Sequence, residues 1–419
     1  MNKELFKICD NLIFWLTVFL IITFFVFGQY VWGSLVIIAI ICSILVLTLI
    51  VNKGKISIKI FPFQVFTVLF VVYCLLNATW ARDAKQTFEK ATTIFSIILF
   101  YTFLDVYYRR FFNVTRLIKA ILWAGYFLVG YSFLFYKPTT VVQTLLSGNR
   151  LPNAFTNVNG LALVASFAII IEVYFLIFSK ASWRSVLTLP SAILILATGS
   201  RKALLFLVVG VAVLLFIKFA KNNLIKALFF LLACLVFGFL SYKIIERLDA
   251  FNGIIQRFES LVAVITGKTA TDSGDVWRLA YLEVGKEQFR RTPLLGFGIG
   301  NSGYITMPLG RVTYLHNNYI ELLACGGIVG TVIYYSAYLY LFYAFIRYRR
   351  VKSDETVVCI VLMIITLLLD IGMVSYYDKF TYFCMYLFFA QARNCRDTTL
   401  ALERRFNKNR CSTKLLEAV

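Results

Sequence analysis

Residues Ser273–Gly330 read SGDVWRLAYLEVGKEQFRRTPLLGFGIGNSGYITMPLGRVTYLHNNYIELLACGGIVG. The stretch opens with a polar, glycine-containing segment and continues with the spacing of an amphipathic helix that carries Arg278. A glycine-rich turn then leads to His316, the only histidine in the protein, and a hydrophobic helix follows at once. The pattern predicts a titratable imidazole at the edge of an apolar layer with arginines nearby, which is a suitable place for chemistry.

The composition of the 419-residue chain is that of a membrane protein. Hydrophobic residues make up 60% of the sequence and aromatic residues 17%. Apolar runs of about 20 residues, the length that crosses a bilayer, recur from end to end. We therefore predict an all-α polytopic membrane protein, with residues 1–419 forming a single membrane domain. The first run is read as a retained span, because it is long, aromatic-rich and lacks a small-residue cleavage site.

The hydrophobic pattern predicts twelve transmembrane helices, with boundaries good to about 2–4 residues. Lysine and arginine are richer in every second connection, and the positive-inside rule then places both termini in the cytoplasm. Residues 392–419 are predicted to form a basic cytoplasmic tail that lies against anionic lipid. The predicted spans cover residues 11–28, 31–51, 60–78, 91–107, 117–136, 158–178, 185–200, 203–219, 223–242, 318–346, 355–376 and 379–391.

One connection differs from the others. Residues 243–317, between the ninth and tenth spans, leave the hydrophobic pattern and are predicted to form one large extracytoplasmic loop. Within it, apolar residues at 244–262 recur at helical spacing with charged residues between them, which is typical of an amphipathic helix on a membrane surface. A long insertion in an otherwise economical bundle favours a functional role for this loop.

Charge, cysteine usage and motifs argue against several classes of function. The formal net charge of +21 is explained by cations at cytoplasmic helix ends, and no motif that reads nucleic acid is present. The nine cysteines lie in predicted spans or cytoplasmic segments, as expected of free thiols. One histidine and no outward cysteine argue against a metal site. The GxGxxG match at Gly298–Gly303 has no βαβ context, so we predict no cofactor.

Three residues are the main candidates for a site. His316 closes a polar loop at a helix entrance, where a neutral imidazole can take a proton from a hydroxyl group. Arg201 occupies a very short outward turn and is either a snorkelling cation or a pyrophosphate ligand, because guanidinium binds phosphate oxygens bidentately. Arg278 lies on the amphipathic helix, where the simpler interpretation is a solvated face.

Four further polar residues are supporting candidates. Asn159 starts a span and is either a helix cap or a hydrogen-bonding partner for sugar. Asp370 interrupts an apolar span, and a partner such as an arginine is expected because a buried unpaired carboxylate is costly. Asn317 flanks His316. Glu321 lies one turn beyond Asn317, and whether it assists the imidazole stays open.

Four sequence blocks carry a family resemblance. They are NRLPNAFTNVNGLA, TGSRKALL, WRLAYLEVGKEQFRRTPLLGFGIGNSGY and LHNNYIELLACGGIVG. Together they resemble the O-antigen ligase and polymerase family of bacterial envelope glycan enzymes. The last two blocks, joined by a loop of this length, are the most specific.

The resemblance implies a metal-independent glycosyltransferase with GT-C-like architecture in the cytoplasmic membrane. Such an enzyme takes a glycan linked to undecaprenyl pyrophosphate and transfers it, on the outer face, to a glycan or lipid-linked acceptor. By motif position His316 corresponds to the base that activates the acceptor, and Arg201 and Arg278 to the pyrophosphate ligands. Asp370 matches an acidic position of the family. The resemblance does not separate a ligase from a polymerase.

Two other functions fit the hydrophobic pattern. A polysaccharide flippase or exporter without transferase activity would also have twelve spans and basic inner loops, and a membrane scaffold for envelope assembly is a third interpretation. A carrier is expected to show paired half-repeats and helices broken at mid-membrane. This sequence instead concentrates its polar groups at the predicted outer surface, which favours the transferase.

Overall fold

The computed structural model describes residues 3–27, 32–56, 58–110, 113–179, 182–220, 223–230, 232, 273–349, 351 and 353–416. All regular secondary structure in these ranges is helical. The amphipathic helix predicted at 244–262 lies outside the described residues, as does most of the ninth predicted span. The α-helices are α1 (Lys3–Val26), α2 (Gly33–Val51), α3 (Pro62–Asn77), α4 (Ala84–Arg110), α5 (Val114–Tyr136), α6 (Pro138–Leu146), α7 (Val158–Phe178), α8 (Thr188–Thr198), α9 (Arg201–Ala220), α10 (Ser273–Arg291), α11 (Ser302–Thr306), α12 (Asn318–Arg347), α13 (Asp354–Leu369) and α14 (Lys379–Leu416).

Seven of the described helices are long and apolar enough to cross a membrane, namely α1, α2, α4, α5, α7, α9 and α12. Each of them coincides with a predicted span. Helix α3 and the segment Trp183–Thr198 are shorter apolar helices, and they coincide with the third and seventh predicted spans. The chain is a multi-pass helical membrane protein, while the total of twelve crossings stays a prediction.

Helix α14 forms the centre of the bundle. Every side chain from Phe380 to Ala392 is buried, because α1, α3, α4, α5, α12 and α13 pack around this part of the molecule. A helix that is apolar on all sides is typical of one enclosed by protein. The same helix continues to Leu416, so the predicted basic tail begins as a direct extension of the last predicted span.

The two ends of α7 define the two ends of the bundle. Asn159 in the first turn accepts a hydrogen bond from Arg150 at 2.7 Å, and we call this the upper end. Glu172 lies nearer the last turn, about 20 Å away at 1.5 Å per residue, and pairs with Arg184 at 2.9 Å. We call this the lower end. The Arg393–Asp105 ion pair, at 2.8 Å, also belongs to the lower end.

Helix α12 is broken at Gly327, where φ is 62° and ψ is −170°. Four backbone hydrogen bonds of 2.8–3.2 Å join the broken segment, residues 324–329, to the loop at residues 293–298. The loop therefore satisfies polar groups that the break would otherwise leave unpaired in an apolar layer. The break was not predicted from the sequence, which indicated one continuous span over residues 318–346.

Helix α13 ends at Leu369, earlier than the predicted end of its span at residue 376. The side chain of Asn318 fixes the turn that follows, because its Oδ1 accepts the N–H groups of Ser375 at 2.9 Å and Tyr376 at 3.1 Å. The predicted boundary is wrong here because residues 371–377 have the composition of a span, whereas part of their backbone bonds to α12.

Candidate functional site

A polar cavity of about 220 Å³ opens at the upper end of the bundle. We call it the cationic cavity, because three arginines and one lysine are among the described residues that line it. One water molecule takes up about 30 Å³ in the liquid, so the cavity has room for a group of several heavy atoms. The charge of the lining favours an anionic group. The described lining residues are Arg150, Asn159, Gly199, Ser200, Arg201, Lys202, Gly274 and Arg278.

Arg201 reaches the cationic cavity from a very short turn, as the sequence predicted. Helix α8 ends at Thr198, and Gly199 follows in the left-handed conformation with φ of 59° and ψ of 25°. Glycine adopts this conformation at little cost. Helix α9 begins two residues later, so the turn holds Arg201 and Lys202 side by side at the upper end.

Asp275, in the first turn of α10, joins the two candidate arginines. Its carboxylate accepts both terminal nitrogens of Arg201 at 2.8 Å each and Nη1 of Arg278 at 3.1 Å. The Asp275 side chain is only 5% exposed. Asp275 was not among the candidate residues selected from the sequence. Its spacing of three residues from Arg278 was the available signal.

His316 lies between two tyrosine rings. The imidazole stacks on Tyr281 with ring centroids 5.6 Å apart, and the ring of Tyr314 lies at 4.0 Å. Tyr281 follows Arg278 by about one turn on α10, so a single helix carries the arginine and a ring that contacts the histidine. Burial, together with the charges of Lys202 and Arg278, lowers the pKa of His316 to about 4. The imidazole is therefore neutral at pH 7.

Asn317 and Glu321 hold the backbone on either side of His316. Asn317 caps α12, with its Oδ1 accepting the N–H of Ile320 at 3.0 Å. The carboxylate of Glu321 is buried and accepts the N–H of Leu315 at 2.8 Å. The described hydrogen bonds of Glu321 thus support the loop that presents His316, and none of them goes to the imidazole.

Asp370 lies below the cavity lining, at the end of α13. Its carboxylate accepts the hydroxyl of Tyr335 at 2.8 Å, the amide of Asn318 at 3.2 Å and the hydroxyl of Ser375. The expectation of an arginine partner is wrong for the described contacts, because these donors are neutral. Asp370 and Asn318 together attach the turn after α13 to the start of α12. Asn318 was missed from sequence, where it appeared only as the second residue of an Asn-Asn pair.

Lys202 connects that turn to the cationic cavity. Its ammonium group donates to the carbonyl of Gly372, while the neighbouring Arg201 binds Asp275. The sequence motif TGSRK contained Lys202, but only Arg201 was selected from it. The lysine therefore extends the candidate site, because it lines the cavity and its charge reaches His316.

Asn159 lines the cavity, and it does not cap α7. The cap is Asn157, whose side chain accepts the N–H of Asn159 at 2.9 Å. The Oδ1 atom of Asn159 accepts Nη2 of Arg150 at 2.7 Å. Of the two sequence interpretations, the cap is therefore wrong for Asn159, and a role toward sugar stays a prediction.

No group of three or more histidine, cysteine, aspartate or glutamate side chains in the described part of the chain is arranged to hold a metal ion. The seven described cysteines are free thiols. The absence of a metal and a cofactor from the chemistry stays a prediction.

The fold and the site define a multi-pass helical membrane protein with a cationic cavity beside a neutral histidine. The family model described as O-antigen ligase matches residues 186–335. This match supports placing the chain in the O-antigen ligase and polymerase family, and with it glycan transfer of that general type between a lipid-linked glycan and an acceptor. The matched residues include Arg201, Arg278 and His316. No curated protein matches the chain significantly.

Proposed function

We propose that the protein transfers a glycan from undecaprenyl pyrophosphate to an acceptor hydroxyl on the outer face of the cytoplasmic membrane. The observation that carries this proposal is the convergence of Arg201, Arg278 and Lys202 on one cavity beside His316. Arg201 and Lys202 are neighbours at the start of α9, whereas Arg278 and His316 come from separate parts of the chain. A pyrophosphate group matches the cavity in charge and in the bidentate geometry that guanidinium offers.

The reaction exchanges one bond to the anomeric carbon for another. The acceptor oxygen attacks this carbon, the bond to the pyrophosphate oxygen breaks, and the polyprenyl pyrophosphate leaves with the bonding electrons. Arg201 and Arg278 stabilise the negative charge that develops on the leaving group. The lipid-linked donor supplies the free energy, so the step requires neither ATP nor a metal ion.

His316 receives the proton of the acceptor hydroxyl. Its imidazole is neutral before the donor binds, which is the form that a general base requires. A bound pyrophosphate opposes the charges of Lys202 and Arg278, and an anion raises the pKa of a nearby imidazole. Donor binding thus makes the imidazole a stronger base before it accepts the proton of the acceptor hydroxyl.

The polar features of the upper end favour the transferase over a flippase or exporter. The break in α12 is a feature that a carrier is expected to share. In this chain, however, the broken segment is hydrogen-bonded to the protein's own loop, and the cationic cavity lies elsewhere, at the upper end. We propose that the upper end is extracytoplasmic and that both termini are cytoplasmic, since the basic loops of the predicted topology fall at the lower end.

The test is transfer by purified protein in liposomes, supplied with a lipid-linked oligosaccharide and candidate acceptors. We expect His316→Ala and Arg278→Ala to insert normally and to lose glycan transfer. Arg291→Ala serves as the matched control, because Arg291 is on the same helix and pairs with Glu287 at the surface. Full transfer by the histidine variant would remove the proposed base. Movement of lipid-linked sugar across the bilayer without transfer would favour the carrier.

A further inference from the structure

We propose that Asp275 is a positioning residue that gathers Arg201 and Arg278 into one pyrophosphate site. This inference rests on the proposed function and adds a residue to it. Asp275 is the only described residue that accepts hydrogen bonds from both arginines, and it takes two from Arg201 at 2.8 Å and one from Arg278 at 3.1 Å. The two guanidinium groups therefore meet through a single carboxylate.

The carboxylate offsets the repulsion between like charges. Arg201 is 74 residues from Asp275 in the chain and its side chain is only 13% exposed, so solvent screens its charge weakly. The side chain of Arg278 is more open, at 40% exposed. The two guanidinium groups at one cavity nevertheless repel each other unless an anion lies between them. Asp275 also lies in the first turn of a helix, where a negative charge is favourable.

Asp275 acts through the arginines and does not face the ligand. Gly274, Arg201 and Arg278 line the cationic cavity, and Asp275 is absent from its described lining. A guanidinium group has five N–H donors, of which the carboxylate uses two on Arg201 and one on Arg278. The carboxylate thus fixes the plane of the Arg201 guanidinium group through two bonds and anchors one nitrogen of Arg278. Its one negative charge leaves the described lining of the cavity positive.

The test compares Asp275→Asn and Asp275→Glu with the wild-type protein in detergent. The probe is inorganic pyrophosphate, and its binding is measured by calorimetry. For Asp275→Asn we expect the Kd to rise about tenfold, as for the loss of one charge-assisted hydrogen bond. In transfer assays the KM for the lipid-linked donor should rise more than kcat falls. Asp275→Glu keeps the charge and should restore most of the affinity.

Glu283→Gln is the matched control for a lost carboxylate on the same helix. Glu283 pairs with Lys286 three residues on, as Asp275 does with Arg278, but both side chains are at least half exposed. This variant should bind pyrophosphate like the wild type, since it leaves the cavity unchanged. If Asp275 had only a structural role, its replacement would lower the stability of the protein. The larger effect on KM than on kcat and the rescue by glutamate would not follow from such a loss of stability.

Unchanged or tighter binding of pyrophosphate by Asp275→Asn would overturn the proposal. The carboxylate would then have no effect on pyrophosphate binding or would oppose it. If Asp275→Asn fails to insert, Asp275→Glu decides, and a tenfold weaker affinity in an inserted Asp275→Glu protein overturns the proposal. A wild-type protein that neither binds pyrophosphate nor transfers glycan would instead contradict the proposed function itself.

Discussion

At the scale of single residues, His316 is held in an uncommon state. Its backbone φ is 57°, a left-handed conformation that costs free energy for a residue with a Cβ atom. The Asn317 cap and the bond from Leu315 to Glu321 hold the backbone on both sides. The strained loop fixes the position of the imidazole, and burial together with the nearby cations keeps it neutral.

The charge state of His316 can be measured directly, because the protein has no other histidine. We expect NMR of histidine-labelled protein, purified without a histidine tag, to give an imidazole pKa near 4. The nearby cations oppose protonation, so Arg278→Gln and added pyrophosphate should each move the pKa upward, toward 6.5. The pH at which kcat/KM declines on the acid side should accordingly lie below the ordinary range of histidine pKa values. A pKa of 6.5 in the free wild-type protein would contradict this electrostatic picture, and Arg291→Gln should cause no shift.

At the scale of elements, the loop after α10, residues 292–301, connects three helices. Its backbone is hydrogen-bonded to the broken segment of α12, and residues at the end of α3 bond to it as well. The Tyr73 hydroxyl donates to the Leu295 carbonyl at 2.9 Å, and the Asn77 side chain accepts the Ile299 N–H at 2.6 Å. Because α10 carries Arg278 and α12 starts beside His316, this junction sets the distance between the two candidate groups.

Gly327→Ala should destabilise this junction. A Cβ atom there would lie 2.3 Å from the carbonyl oxygen of Leu294, and the backbone conformation alone costs about 1–3 kcal/mol for a residue other than glycine. We expect a lower thermal midpoint in detergent, with a parallel loss of glycan transfer. Gly130→Ala is the control, since no atom lies within 4 Å of the added Cβ and alanine favours a helix. Equal midpoints for the two variants would show that the break tolerates a side chain.

At the scale of the whole molecule, the bundle separates two polar ends. The upper end holds the cationic cavity, where positive charge exceeds negative charge among the residues that the structure describes. At the lower end, two buried carboxylates are each paired with an arginine, in Arg184–Glu172 and Arg393–Asp105. An unbalanced positive cavity attracts an anionic ligand, whereas paired charges stabilise the helix ends. The difference supports placing the chemistry at the upper end.

The orientation of these ends can be tested with two equally exposed positions. Val312, at the upper end, is 73% exposed and Trp183, at the lower end, is 74% exposed. In intact cells we expect a membrane-impermeant maleimide to label Val312→Cys and to spare Trp183→Cys until the membrane is permeabilised. The wild-type protein gives the background of native thiols. The reverse pattern would place the cavity in the cytoplasm and exclude the proposed donor.

Some residues of the candidate site could be selected from the sequence, whereas the contacts between them could not. Arg201 and Arg278 were both selected as candidates, since an arginine in a short turn or beside an apolar layer can be recognised from the neighbouring residues alone. Asp275, which joins them, was not identified, because a carboxylate at a helix start looks like a cap. Asp370 was recognised as costly to bury, but its neutral partners on α12 and in the following turn could not be identified from spacing.

The sequence by itself determined that this is a helical membrane protein, where many of its spans lie, and which family it resembles. Hydrophobicity accumulates along about 20 consecutive residues, and the family motifs are contiguous blocks, so both are properties of local sequence. Only the tertiary structure decided that Arg201 and Arg278 line one cavity and are joined through Asp275, and that a loop fills the break at Gly327. These contacts join residues far apart in the chain, and the hydrogen bonds that pair them depend on how the helices pack.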